Sequence, residues 1–235
     1  MGLDIYVGSL TRYYARDWET VIQQYARETG TPFEIIRPNQ SENAVTETET
    51  IRATVLEWRS SLSEGLKDHL SQPLDWDESD NAPYFTDKPD WDGYSSVLLW
   101  AAYLEHPDLT KPERVDNWTN DEAYSRSTAE DFKTTFPTLL RDTEIWLPVD
   151  FTFTFVARDL GDNTVGFGSA VSLLRELDDL NVQTWNAETA TLANWRCEGA
   201  EKNSPLEVCA RFGFAIMRDM AASAVTHKLV MKLDY

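Results

Sequence analysis

Hydrophobic positions along the chain fall into two periods. Leu3, Ile5 and Val7 alternate with Asp4 and Tyr6, which predicts a short strand at the start. Trp18, Val21, Ile22, Tyr25 and Ala26 recur at helical spacing, so one amphipathic helix is expected over 16–28, stopped by Gly30. A brief apolar run at 33–36, ended by Pro38, reads as a strand. Ile51, Val55, Trp58, Leu62 and Leu66 mark a second helix. Residues 71–92 follow neither period. Residues 94–105 are apolar on nearly every side (VLLWAAYL), which predicts a central buried helix. Ser127 and Glu130 have the spacing of a capping box and predict a helix start there. Phe151, Phe153 and Phe155 alternate with Thr152, Thr154 and Val156 as a strand. Gly161-Asp162-Asn163 is turn chemistry, with 164–167 returning as the hairpin partner. Ala170, Leu173, Leu174 and Leu177 begin a helix behind Ser169, its expected N-cap. The stripe Leu206, Cys209, Gly213, Ile216, Met217, Met220 predicts a long last helix, and 228–233 a last strand.

Helices and strands mix without regular alternation, so the expected class is α+β. No repeat or linker divides the chain, and the reading is one domain over 1–235. Its core is the apolar helix, beside a small antiparallel sheet. At 235 residues, size scaling buries roughly 70% of the unfolded surface, so the core needs no disulfide. Cys197 and Cys209 fit no zinc or redox spacing, and both are read as buried thiols of a reducing cytosol.

Charge narrows the partners. A net charge of −19 disfavours nucleic acids and anionic membranes, which need Lys and Arg, and favours cations or a basic protein. Solubility or life in high salt would call for the same excess. No apolar run reaches the ~20 residues of a membrane span, and the first ten residues lack the basic and apolar segments of a secretory signal. A cytoplasmic protein is expected.

The stretch PYFTDKPDWDGY (83–94) carries the candidate chemistry. Tyr84, Asp87, Trp91, Asp92 and Tyr94 offer carboxylate acceptors beside flat aromatic faces. That combination suits Arg or Lys of a partner, through charge-assisted hydrogen bonds and cation–π contact. The same residues admit a plainer role, with Trp91 and Tyr84 covering the apolar helix and Asp92 capping it.

Other candidates are weaker. The run DWDESD has Asp80 and Thr86 where an EF-hand starting at Asp75 needs Gly and Glu, leaving a solvated charge run or an irregular cation site. Arg12, among Tyr13, Tyr14 and Asp17, reads as an internal ion-pair partner or an anion holder. His69, His106 and His227 lack ligand spacing, so no metal is assigned. GFGSA at 166–170 lacks the Lys of a P-loop and the flanks of a nucleophile elbow. Asp4, Glu144 and Asp150 sit on or beside predicted strands and could pair as acid and base, though 40 acids make some pairing inevitable.

Three segments, MGLDIYVGSLTRYY, 83–107 and FPTLLRDTEIWLPVDFTF, resemble a family of uncharacterised bacterial cytosolic proteins. The resemblance implies a bacterial, soluble protein and carries over no activity and no catalytic residue.

Taken together, these features predict an acidic cytosolic module that binds a basic protein partner in the manner of an immunity or inhibitor protein. The site would be Tyr84, Asp87, Trp91, Asp92 and Tyr94, with no cofactor. Two alternatives stand beside it: a carboxylate-based, metal-assisted hydrolase, and a structural subunit that self-associates as a homo-oligomer.

Overall fold

The computed structural model describes residues 2–32, 44–114, 117–201 and 203–235, with backbone only for 44–46. The strand expected over 33–36 lies outside the described residues. In chain order the elements are β1 (Asp4–Gly8), α1 (Leu10–Ala15), α2 (Val21–Thr29), α3 (Ala44–Gly65), β2 (Phe85–Asp87) and α4 (Asp90–Glu105). Then come α5 (Glu122–Ser127), α6 (Pro137–Leu140), β3 (Thr143–Leu147), β4 (Phe155–Arg158), β5 (Thr164–Ser169), α7 (Ala170–Gln183), α8 (Thr189–Glu198), α9 (Leu206–His227) and β6 (Val230–Asp234).

The class is α+β, but the sheet is neither small nor purely antiparallel. Six strands lie in the order β2-β1-β6-β3-β5-β4, with β3 and β5 parallel and the other neighbours antiparallel. The expected hairpin exists as β4 and β5. Its strand β5 continues inward onto β3, which no hydrophobic period along one segment can reveal.

Strand alternation sorts side chains onto two faces. Ile5, Val7, Trp146, Met231 and Leu233 face one core with α4, α7 and α9. Ile145, Leu147, Val165, Phe167 and Val230 face the other, with Leu10 of α1, Val55 of α3 and Trp76. The expected central helix is there. Leu98, Leu99, Ala101 and Ala102 of α4 are buried and packed against α9. The two helices cross backbone to backbone at Gly93 and Gly213. A Cβ on Gly93 would stand 3.3 Å from Gly213 Cα, and one on Gly213 would overlap the Gly93 carbonyl.

Three local expectations are corrected, two of them by caps. The helix expected over 16–28 begins only at Val21, as α2, and is preceded by a separate short helix, α1. Arg16 turns left-handed (φ 56°) and ends α1, and Thr20 with Gln23 forms a capping box that starts α2. At Ser127 the chain ends a helix instead of starting one. The cap is Asp121, which accepts from the N–H groups of Ala123 (2.8 Å) and Tyr124 (3.3 Å). The phenylalanine strand begins only at Phe155, and ahead of it the Phe151 carbonyl accepts from the Ser172 hydroxyl. Ser169 does cap α7, accepting from Ser172 N–H at 3.1 Å. Cys209 is buried as expected, whereas Cys197 is exposed.

Candidate functional site

The five residues of the acidic, aromatic segment are not brought together. Tyr84 lies on the far side of β1, stacked 6.4 Å from Tyr6 and beneath the Arg12 guanidinium at 5.2 Å. Asp87 is buried in β2. One oxygen accepts from Lys88 N–H (2.7 Å), and the other meets the Arg196 guanidinium of α8 at 2.6 Å, outside hydrogen-bond angles. Its carboxylate is an internal strut. Tyr94 is buried within α4, and its phenol is pushed far up by that burial.

Trp91 and Asp92 remain at the surface. They sit in the first turn of α4, whose N-cap position is Pro89, with no side-chain cap. Asp92 therefore does not take the capping role open to it from sequence. Its exposed carboxylate stands where the helix dipole favours negative charge. Trp91 is half-buried, edge-on to Tyr235 (5.2 Å) and Tyr94 (6.2 Å). Both line a cleft of about 340 Å³.

The opposite wall of the cleft comes from the far end of the chain. Glu201, in the connection from α8 to α9, and Phe212, in α9, face Asp90, Trp91 and Asp92 across it. The crossing of Gly93 and Gly213 makes this juxtaposition, since Phe212 adjoins one glycine and Asp92 the other. Asp90 is engaged with Lys88 at 3.1 Å. Among the described residues, no cation pairs with Asp92 or Glu201. The cleft thus holds two carboxylates that pair with no described cation, between an indole and a phenyl ring. Glu201 and Phe212 carry no sequence signal of their own. Gly213 inside an apolar helical stripe is the one hint, as a mark of close backbone approach.

The remaining sequence candidates are committed elsewhere. Arg12 donates to the carbonyls of Ala82 (2.6 Å) and Asp80 (3.2 Å) and lies 3.7 Å from Asp17. The DWDESD run folds back on α3, where Asp75 meets Arg59 at 3.3 Å and Asp80 meets Arg52. Asp77 accepts from Ser79 N–H, a bond that holds its carboxyl below the usual range. Asp4 lies 3.7 Å from Lys88, Glu144 accepts from Tyr235, and Asp150 is bidentate to Arg175. These three acids have separate partners. His69 contacts Phe153, His106 ends α4, and His227 contacts Phe85. Among the described residues no three metal-ligating side chains cluster, and no helix is long and apolar enough to cross a membrane.

Two buried glutamates hold helix starts. Glu78 accepts from Leu10 N–H and Thr11 N–H, each at 2.8 Å, and from the Trp76 indole at 2.6 Å. Glu176 accepts from Thr138 N–H (3.0 Å) and Leu139 N–H (2.9 Å). Burial pushes Glu176 up to about 7, partly opposed by those two bonds and assisted by the charge of Glu105.

No protein-family model, curated protein or solved structure matches the chain.

Proposed function

We propose that this is an acidic binding protein that engages a basic protein partner through the cleft at the start of α4. The observation that carries the reading is the pairing of Asp92 and Glu201, which meet no cation among the described residues, with Trp91 and Phe212 in one cleft. A guanidinium entering there would stack on the indole and donate to carboxylates on both walls. Such cation–π contact is worth about 0.5–2 kcal/mol, and charge-assisted hydrogen bonds add to it. The net charge of −19 would speed encounter with a basic surface and make binding weaken as salt rises. The reading narrows the expected site to Trp91 and Asp92 and adds Glu201 and Phe212.

The test is an affinity pull-down from native extract at low and high salt. It compares the wild type with Asp92→Asn/Glu201→Gln, a variant that leaves the partly buried Trp91 in place. The reading expects a basic protein retained by the wild type at low salt. With that partner purified, the variant should bind roughly 10–100-fold more weakly, as loss of a hot-spot pair would give. Equal retention by both proteins would count against the cleft.

A further inference from the structure

A second cleft, of about 380 Å³, opens at the β4–β5 hairpin. Asp142 and Glu144 line it together with Val156, which is 70% exposed. Asp142 is pinned there: its backbone is left-handed (φ 43°), and its carbonyl packs against Gly166, where any Cβ would overlap it. Each carboxylate accepts from one phenol, Asp142 from Tyr124 at 3.2 Å and Glu144 from Tyr235 at 2.9 Å. A neutral hydroxyl occupies one acceptor site of a carboxylate and leaves the charge in place. Arg141 lines the same cleft, but its guanidinium donates to the Phe132 carbonyl at 2.9 Å. Among the described residues, no cation pairs with Asp142 or Glu144.

Tyr235 joins this cleft to the one at the start of α4. Its hydroxyl holds Glu144, its ring meets the Trp91 indole edge-on at 5.2 Å, and 58% of its surface is exposed. Underneath, the buried Tyr94 reaches both sides. Its ring lies 6.2 Å from Trp91, and its phenol is pushed up by burial and then by Tyr124, Asp142 and Glu144. The two clefts therefore adjoin, each with two carboxylates and an apolar wall, divided by one exposed aromatic ring. End to end, the ring contact, the phenol and the hydrogen bond span on the order of 10 Å, about three residues of extended chain at ~3.3 Å each.

We propose that the basic partner presents an extended segment with two Arg or Lys side chains, one seated in each cleft, their stems laid against Tyr235. The proposal rests on the reading of the first cleft as the docking site and extends it to recognition at two points. Side chains two or four positions apart lie on one face of an extended segment, and long basic side chains make up the remaining difference. Their methylene stems suit Trp91, Tyr235 and Val156, while the charged ends reach the carboxylates. Joining two weak contacts on one chain makes the second intramolecular, so affinity rises steeply once both clefts are filled.

Dye-labelled serine–alanine peptides carrying one arginine, or two arginines two or four positions apart, test this by fluorescence anisotropy at low salt. The wild type should bind one of the two-arginine peptides at least about 10-fold more tightly than the one-arginine peptide. Asp142→Asn/Glu144→Gln should remove that advantage and leave one-arginine binding at the first cleft. Both replacements keep an oxygen for the phenol, and asparagine tolerates left-handed backbone, so the fold is retained, which a thermal melt checks. Glu57→Gln/Asp68→Asn, an equal change of charge at exposed residues elsewhere, should keep the advantage. Equal affinity of the wild type for one and two arginines overturns the two-point proposal and leaves the first cleft standing. An advantage that survives Asp142→Asn/Glu144→Gln overturns it too, because the second arginine would then bind elsewhere. Loss of the advantage in Glu57→Gln/Asp68→Asn also overturns it, because net charge alone would then be read. No binding of any peptide overturns it together with the reading of the first cleft.

Discussion

Glu78 and Glu176 perform one task on opposite faces of the sheet. Each is a buried carboxylate, brought from a distant segment, that clamps two consecutive N–H groups at the start of a short helix. Glu78 holds α1 on the side of α3, and Glu176 holds α6 on the side of α4 and α9. Their surroundings differ. Glu78 has a third donor in the Trp76 indole, so the charge it buries is shared among three N–H groups. Glu176 has two donors and feels Glu105, and its carboxyl is raised to about 7. The same geometry thus serves both faces, and on the side of α4 and α9 the clamp itself titrates near neutrality.

The comparison can be broken most severely at Glu78. Glu78→Ala strands three buried donors, and at about 1–3 kcal/mol for each the expected loss is roughly 4 kcal/mol or more. Chemical denaturation at pH 7 measures it. A loss below 1 kcal/mol would show that water replaces the carboxylate.

Glu176 should show itself through pH. Its folded value, about 7, lies above the 4.5 of an ordinary glutamate. The folded protein therefore keeps a proton that the unfolded chain releases, and the stabilisation is complete below about pH 4.5. It is lost as pH rises toward 7 and beyond, by about 3 kcal/mol at 1.36 kcal/mol per unit. The measurement is unfolding free energy from pH 4.5 to 8, with Glu176→Gln flattening this component. An equal slope in Glu176→Gln would assign the titration to another group.

A smaller effect sharpens the contrast. Glu78→Gln and Glu176→Gln each remove a charge and keep one acceptor oxygen. At pH 7.5 the cost should be greater at Glu78, by about 1–2 kcal/mol, the worth of one more hydrogen bond to a charged group. Equal costs would mean that the Trp76 indole adds nothing. The smallest effect is expected at an exposed acid. Asp92→Asn should change stability by less than about 0.5 kcal/mol, while lowering affinity for a basic partner. A larger loss of stability would show that Asp92 supports the start of α4.

Sequence and structure agree where one segment carries the whole signal. The apolar run of α4 could only be an interior helix, and its Leu99 is 1% exposed. The alternation at Leu3, Ile5 and Val7 could only be a strand with one buried face. Local caps were harder to read. Ser127 has the residues of a helix start, yet Asp121 wins because its carboxylate bonds two N–H groups there. The proposed site was half legible. Trp91 and Asp92 stood out as an aromatic and an acid at the start of a rigid helix. Asp87 looked equivalent to Asp92 but is taken by Arg196, from a helix far along the chain.

The sequence by itself determined the α+β class, the buried helix, the long last helix and the acidic surface. Period, composition and charge are properties of neighbouring residues or of their sum. Tertiary structure alone decided the strand order, the parallel pairing of β3 with β5, and which carboxylates are spent inside the fold. It also set Glu201 and Phe212 opposite Asp92. Those outcomes depend on contacts between remote segments, such as the backbone crossing at Gly93 and Gly213. Which distant groups meet follows from how whole faces pack, and packing is not encoded in any one stretch of chain.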